Sequence, residues 1–230
     1  LAATGQPGTP IQNNYDPFIP GFTYAEYNNL QSFIDACDED TIAVMVEPVQ
    51  GEGGVIPATK EFLQGLRKLC DEKGMLLLFD EVQTGWGRSG RMFASQYFAE
   101  AGCAPDIMTT AKSIAAGMPI SAVTARAEIM DKVAPGTIGG TFGANAMSAA
   151  AALKVIEIME RDDYPGKALH IAEKVRTAFD AWVDKYEVVG NVRGTGAMMG
   201  IEFVTDKETK TPNAAIVSAI VQEAMNNGLM

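Results

Sequence analysis

Three short apolar runs punctuate the first half of the chain, at residues 42–46, 75–79 and 107–110, and each opens into polar, glycine-rich sequence. The runs are too short for core helices and continuous rather than alternating, which predicts strands buried on both faces of a parallel sheet. Helix-like sequence precedes each run and carries the equally spaced Cys37, Cys70 and Cys103, each late in its stretch. The recurrence of Leu30-Gln … Cys37-Asp-Glu as Leu63-Gln … Cys70-Asp-Glu has the length of a solenoid repeat. The strand-like runs make the unit helix-then-strand instead, which predicts an α/β domain whose mainly parallel sheet carries helices on both faces.

A fourth apolar segment, residues 120–125, follows with no long helix before it and is expected to pair antiparallel to its predecessor. Residues 146–160, rich in Ala, Leu and Ile, read as a long buried helix. Residues 161–166 break it, and 167–186 read as an amphipathic helix. A strand pair is expected over 188–204, around Arg193-Gly-Thr-Gly196, with a final helix over 213–227. A boundary inside the 146–160 helix is expected to divide residues 1–150, the later part of a large α/β domain, from residues 151–230, the start of a small α+β carboxyl-terminal domain.

Hydrophobic residues make up 47% of the chain and charged residues 20%, which excludes a disordered protein. The 18 basic residues against 29 acidic ones give a net charge of −11 and argue against nucleic acid as a partner. No run approaches the ~18 apolar residues of a membrane span, and the first residues lack the pattern of a secretory signal. Three cysteines without a C-x-x-C pair point to reduced thiols, with no disulfide framework and no metal site. A cytoplasmic location is expected.

The candidate chemistry sits where the strands end, the edge at which open α/β sheets bind ligands. The segments there are Glu47-Pro-Val-Gln-Gly-Glu-Gly-Gly54, Asp80-Glu-Val-Gln-Thr-Gly-Trp-Gly-Arg-Ser-Gly90 and Ala111-Lys-Ser-Ile-Ala-Ala-Gly-Met-Pro119. Lys112 is either a Schiff-base lysine or a solvated lysine at a helix start. Asp80, ending the most apolar strand, either meets a cation or caps the next turn. Gln83 bonds a ligand oxygen or closes its loop, and Glu52 is a functional carboxylate or a surface one. Thr141, in Gly139-Gly-Thr-Phe-Gly143, offers a hydroxyl suited to phosphate, a weak signal alone. His170, the paired Met198 and Met199, and Arg193 read as structural; Trp86 lines a pocket or an interface, or only fills its loop.

The four segments together, in this order and ending with Gly-x-Asn145, resemble the class III (ω-amino) family of pyridoxal-phosphate-dependent aminotransferases over the whole chain. The resemblance implies the fold type I architecture of that cofactor class and an enzyme that moves an ω-amino group to 2-oxoglutarate. It implies that Lys112 forms the Schiff base with pyridoxal 5'-phosphate and moves the proton. Asp80 would keep the pyridine nitrogen protonated, Val82 would pack on a ring face, and Gln83 would contact the ring hydroxyl. Thr141 would bind the cofactor phosphate of a neighbouring subunit, in a homodimer with shared active sites. Glu52 would be the switch carboxylate that pairs with a substrate-binding arginine, with Glu47 supporting it.

Within the family, residues 1–88 are more similar to acetylornithine aminotransferases. Residues from Lys112 onward are more similar to 4-aminobutyrate aminotransferases, which is the expected donor class. Met118-Pro-Ile-Ser-Ala-Val is also similar to amino-acid 2-epimerases on the same scaffold. Ala146 stands where the family usually has proline. Position 1 is Leu, and the family's own phosphate loop, its ring-stacking aromatic and its substrate arginines have no counterpart here. The chain is therefore expected to be a piece of a longer protein that binds the cofactor weakly or not at all on its own.

Overall fold

The structure is a computed structural model that describes residues 9, 12, 13, 15–141, 143 and 145–229. The run at residues 1–8, and Phe142 and Ala144 of the glycine loop, lie outside the described residues. The first part of the chain contains helix α1 (Leu30–Ala36), strand β1 (Ala43–Val46), a ribbon of β2 (Val49–Gln50) and β3 (Ile56–Pro57), and helix α2 (Lys60–Lys73). Strand β4 (Leu76–Asp80), helix α3 (Ser95–Ala99), strand β5 (Ile107–Thr110), a 3₁₀ turn at Lys112–Ala115, strand β6 (Ala122–Ala125) and helix α4 (Ala127–Met130) follow. Helices α5 (Ala146–Arg161) and α6 (Tyr164–Lys185) lead to strands β7 (Val189–Thr195), β8 (Met198–Asp206) and β9 (Thr211–Pro212), and to helix α7 (Ala214–Asn226).

The main sheet has the order β1-β4-β5-β6, parallel from β1 to β5 and antiparallel at β6, as the apolar runs predict. The reason lies in the connections. Helices link the parallel strands, whereas the short stretch between β5 and β6 has no room for a helical crossover.

Helix α2 forms the floor of the core. Thr59 caps it by accepting from the Phe62 N–H at 3.1 Å, and Gly74 ends it in the left-handed region at φ 69°. Its buried stripe of Phe62, Leu63, Leu66, Leu69 and Cys70 packs against Val44, Val46, Leu77 and Phe79 of β1 and β4. Each such side chain contributes about 2 kcal/mol of burial.

The strands depart from the expected two-sided burial. In β1 and β4 burial alternates, and Met45, on the face away from α2, remains 42% exposed. Continuous apolar sequence marks a strand, but coverage of its second face depends on what the tertiary structure lays there. Helix α5 is also less buried than its composition predicts. Ser148, Ala152 and Met159 are buried, while Met147 and Leu153 stay about 70% exposed. Its packed face rests on the 3₁₀ turn, where Ala152 meets Ile114 and Ala115. Asn145 caps α5 by accepting from the Met147 and Ser148 N–H groups at 3.0 and 3.1 Å, so Ala146 in place of the family's proline leaves the helix start intact. The break before α6 is shorter than expected. Asp163 caps α6 by accepting from the Gly166 N–H, and Pro165 fits the first turn, where its missing N–H costs nothing.

Asp106 joins α2, β4 and the β6–α4 junction. It is 7% exposed and accepts from the Leu77 N–H at 2.8 Å, from Arg67 Nη1 at 2.9 Å and from Arg126 Nη2 at 3.1 Å. Burial pushes its carboxyl up, but the Leu77 N–H and the two arginines outweigh burial and hold it below the ordinary aspartate range. Asp106→Ala should destabilise the fold by about 3 kcal/mol, because it leaves the buried Leu77 N–H without its acceptor and takes from Arg67 one of its two carboxylate partners, Asp71 being the other. The folded-state value is the depressed one. The contribution is therefore fully present above about pH 3.9 and is lost as pH falls through the folded value. Urea denaturation checks this: the gap between wild type and variant should be full at pH 7 and shrink below about pH 4.

Among the described residues no helix is long and apolar enough to cross a membrane.

Candidate active site

The carboxyl ends of β1, β4 and β5 lie side by side, and the strand register sets the layout. Val46 pairs with Phe79, and Asp80 with Thr109. Glu47, one residue beyond β1, follows that register toward Asp80 and lies within reach of its charge.

Glu47 senses the whole group. Burial pushes its carboxyl above the ordinary range. The Gly51 N–H, donating to Oε2 at 3.1 Å, draws it back; Asp80 and Glu52 raise it, and Lys112 lowers it. Three carboxylates and one lysine thus share this edge. The Tyr27 hydroxyl donates to the Glu47 carbonyl at 2.8 Å, and burial, then the Glu47 charge, push this phenol well up.

Asp80 is half-buried. Its Oδ1 accepts from the Val82 N–H at 2.9 Å and from Thr109 Oγ1 at 3.2 Å. It closes the turn after β4, as the capping reading expects. Among the described residues both bonds fall on Oδ1, which leaves Oδ2 for a ligand donor. Its neighbour Glu81 is fully buried and accepts from Thr84 Oγ1 at 2.6 Å, the Ala94 N–H at 2.9 Å and the Ser95 N–H at 2.6 Å. Three donors offset the cost of burying that charge and hold the loop that bears Val82 and Gln83.

Gln83 Nε2 donates to Glu52 Oε1 at 3.2 Å, which joins the loop after β4 to the glycine turn after β1. Lys112 follows β5 with φ 46°, the left-handed region that costs a non-glycine residue about 1–3 kcal/mol. The turn behind it is pinned, since Ile114 is 6% and Ala115 1% exposed, while the Lys112 side chain is exposed. Trp86, edge-on to Phe93 at 5.1 Å, packs against that same turn.

Glu47, Glu52, Asp80, Val82, Gln83 and Lys112 thus meet at one edge. Thr141 is exposed and has no hydrogen bond to this group among the described residues. His170 lies on the exposed side of α6 beside Glu173. Tyr27, Thr109 and Glu81 support the site without having been legible as candidates. Thr109 reaches Asp80 only through the strand register, which the sequence does not show; Glu81 could have been found as the chain neighbour of Asp80, and Tyr27 carries no signal.

The set fits the ring of a pyridoxal cofactor. Asp80 is an anionic acceptor for a ring N–H, Lys112 an exposed primary amine, Gln83 an amide and Val82 an apolar wall. A phosphate cradle is not part of the group among the described residues. No cluster of His, Cys, Asp and Glu among them is arranged to hold a metal. A cleft of about 260 Å³ lined by Lys60, Tyr97, Phe98, Glu100 and Ala101 contains none of the site residues.

The family model for class-III aminotransferases matches residues 1–230. The chain is 44% identical over 196 residues to the 4-aminobutyrate aminotransferase GabT of Escherichia coli K12, covering 85% of this chain and 45% of that one. It is 40% identical over 203 residues to the acetylornithine aminotransferase of Methanocaldococcus jannaschii, covering 88% of this chain and 50% of that one. The PLP-bound amine transaminase from an uncultivated Pseudomonas species superposes with a TM-score of 0.73 at 37% identity, over 82% of this chain and 44% of that one. The chain spans about half the length of the curated relatives it matches.

Proposed function

The chain belongs to the class-III aminotransferase family, and from that membership we propose that it is the cofactor-holding part of a pyridoxal-phosphate-dependent transaminase. This enzyme moves a terminal amino group from a donor of the 4-aminobutyrate kind to 2-oxoglutarate. The observation that carries the reading is the placement of Lys112 and Asp80 at the carboxyl ends of neighbouring parallel strands, both within charge reach of Glu47. The cofactor, when bound, supplies an electron sink for the carbon that loses its proton.

The residues of this chain do the rest. Asp80 would give the protonated ring nitrogen an anionic partner. Val82 would wall one ring face, and the Gln83 amide would bond the ring hydroxyl. The Lys112 amine would hold the cofactor at its aldehyde carbon and, when free, would serve as the base that takes the proton from the substrate carbon and returns it. Glu52 pairs with a substrate-binding arginine or frees it, so that one pocket accepts an ω-amine and then a dicarboxylic keto acid. Thr141 supplies a hydroxyl to the phosphate held by the partner of a homodimer.

Residues 1–150 form the later part of the large cofactor-binding domain in this reading, and residues 151–230 the start of the small one. The free thiols of Cys37, Cys70 and Cys103 support a cytoplasmic location.

Full-length protein given 2-oxoglutarate and one amine at a time tests the donor. Glutamate should appear fastest with 4-aminobutyrate. Faster turnover of N-acetylornithine would favour a second reading, which the 40% identity to an acetylornithine aminotransferase supports. No glutamate from any ω-amine, with racemisation of an L-amino acid in the absence of keto acid, would replace both with an epimerase.

A further inference from the structure

We propose that Arg193 is a positioning residue for Glu52. It latches the glycine turn that carries Glu52 onto the β7–β8 sheet, so that the setting of this carboxylate follows the seat of that sheet. The proposal rests on the reading of Glu52 as the carboxylate that selects between two substrates.

The turn at residues 51–55 is poorly suited to hold itself. It contains three glycines, and Gly54 sits at φ 109°. Val55 is at φ 54°, where a β-branched residue is an outlier that persists only if its surroundings hold it there. Inside the turn, the Gly54 and Val55 N–H groups donate to the Gly51 carbonyl at 3.1 and 3.2 Å. The carbonyls of Gly54 and Val55 are taken by one distant donor: Arg193 Nε, at 3.0 and 3.2 Å.

The guanidinium is itself fixed from the other side. Arg193 Nη1 pairs with Glu202 of β8 at 2.9 Å, and the two side chains are only 19% and 28% exposed. A planar fork held at one end by β8 presents its Nε–H in a set direction, which a flexible ammonium does not do. The contact has no slack. A Cβ on Gly54 would lie 3.2 Å from Arg193 Nη2, and a Cβ on Gly200 of β8 would lie 3.2 Å from Val55 Cβ. On the far side of the turn, Glu52 is held by Gln83 and the Gly51 N–H by Glu47. Glu52 therefore lies between an anchor on the main sheet and a latch on the second sheet. A shift of β7–β8 changes the distance between the two.

The test uses the full-length, cofactor-loaded protein with Arg193→Gln, Arg193→Lys, Glu202→Gln and the reference Glu52→Gln. Amide hydrogen exchange of the peptide covering residues 50–57 should accelerate about tenfold in Arg193→Gln, while peptides over β4 and β5 keep their rates. Arg193→Lys and Glu202→Gln, milder changes, should give intermediate acceleration. The ratio of kcat/KM for the amine half-reaction to that for the keto-acid half-reaction should move about tenfold or more in the direction of Glu52→Gln. The double variant should move it no further than Glu52→Gln alone.

Unchanged exchange over residues 50–57 overturns the latch. Accelerated exchange with an unmoved ratio, while Glu52→Gln does move it, overturns the positioning of Glu52. An unmoved ratio in Glu52→Gln itself overturns the substrate-selection reading and with it the positioning role, and the latch alone then stands or falls on the exchange result.

Discussion

Lys112→Ala in the full-length enzyme should lower kcat by about 10⁴-fold or more, the scale on which removal of a covalent catalyst acts. The substitution should leave the fold alone. The Lys112 side chain is exposed, and the turn behind it is held by Ile114 and Ala115 packed on Ala152. Alanine also inherits the same left-handed backbone, so no strain is relieved or added beyond about 0.5 kcal/mol. The melting temperature should stay within about 2 °C of wild type. Borohydride reduction followed by peptide mass analysis gives the second measurement. Wild type should carry a pyridoxyl group on the Lys112 peptide, and the alanine variant should carry none anywhere. A variant that keeps turnover, or a label on another lysine, would remove Lys112 from the mechanism.

Asp80→Asn should cost about 10³-fold in kcat, in the range for loss of one preorganised electrostatic partner. The choice of asparagine follows from the geometry. Its carbonyl oxygen can still accept from the Val82 N–H and the Thr109 hydroxyl, the two bonds now made by Oδ1. The turn after β4 is kept and only the charge is lost. Asp80→Ala removes both, and should add a stability loss of about 1–2 kcal/mol to a similar loss of rate. Single-turnover rates of the amine half-reaction, read beside urea denaturation, separate charge from scaffold. An asparagine variant with wild-type rate would show that Asp80 only caps its turn.

Not all of this was readable from local sequence, and the division follows the range of the interactions. Lys112 and Asp80 were legible because a strand, its end and the polar residue after it are neighbours in sequence. Parallel strands then bring all such ends to one edge. The composition of α5 overstates its burial, because Met147 and Leu153 are apolar whatever covers them. Helix α6 starts earlier than its sequence suggests because the Asp163 cap overrides the turn signal of Tyr164-Pro165-Gly166. The β2–β3 ribbon was illegible, since two-residue strands carry no periodicity.

Arg193 shows the limit best. In sequence it is an arginine in a glycine-rich hairpin, and it reads as structural. Its bonds reach residues 139 and 138 positions away, and no local pattern encodes a partner at that separation. Order, spacing and residue type, all properties of the linear chain, are enough to mark the apolar strands, the polar segments at their ends and the family. The register that sets Glu47 beside Asp80, the Gln83 bond that reaches Glu52, and the arginine behind that turn came only with the folded chain. Each is a contact between segments that sequence order does not bring together, and its energy is gained only once the sheets have formed.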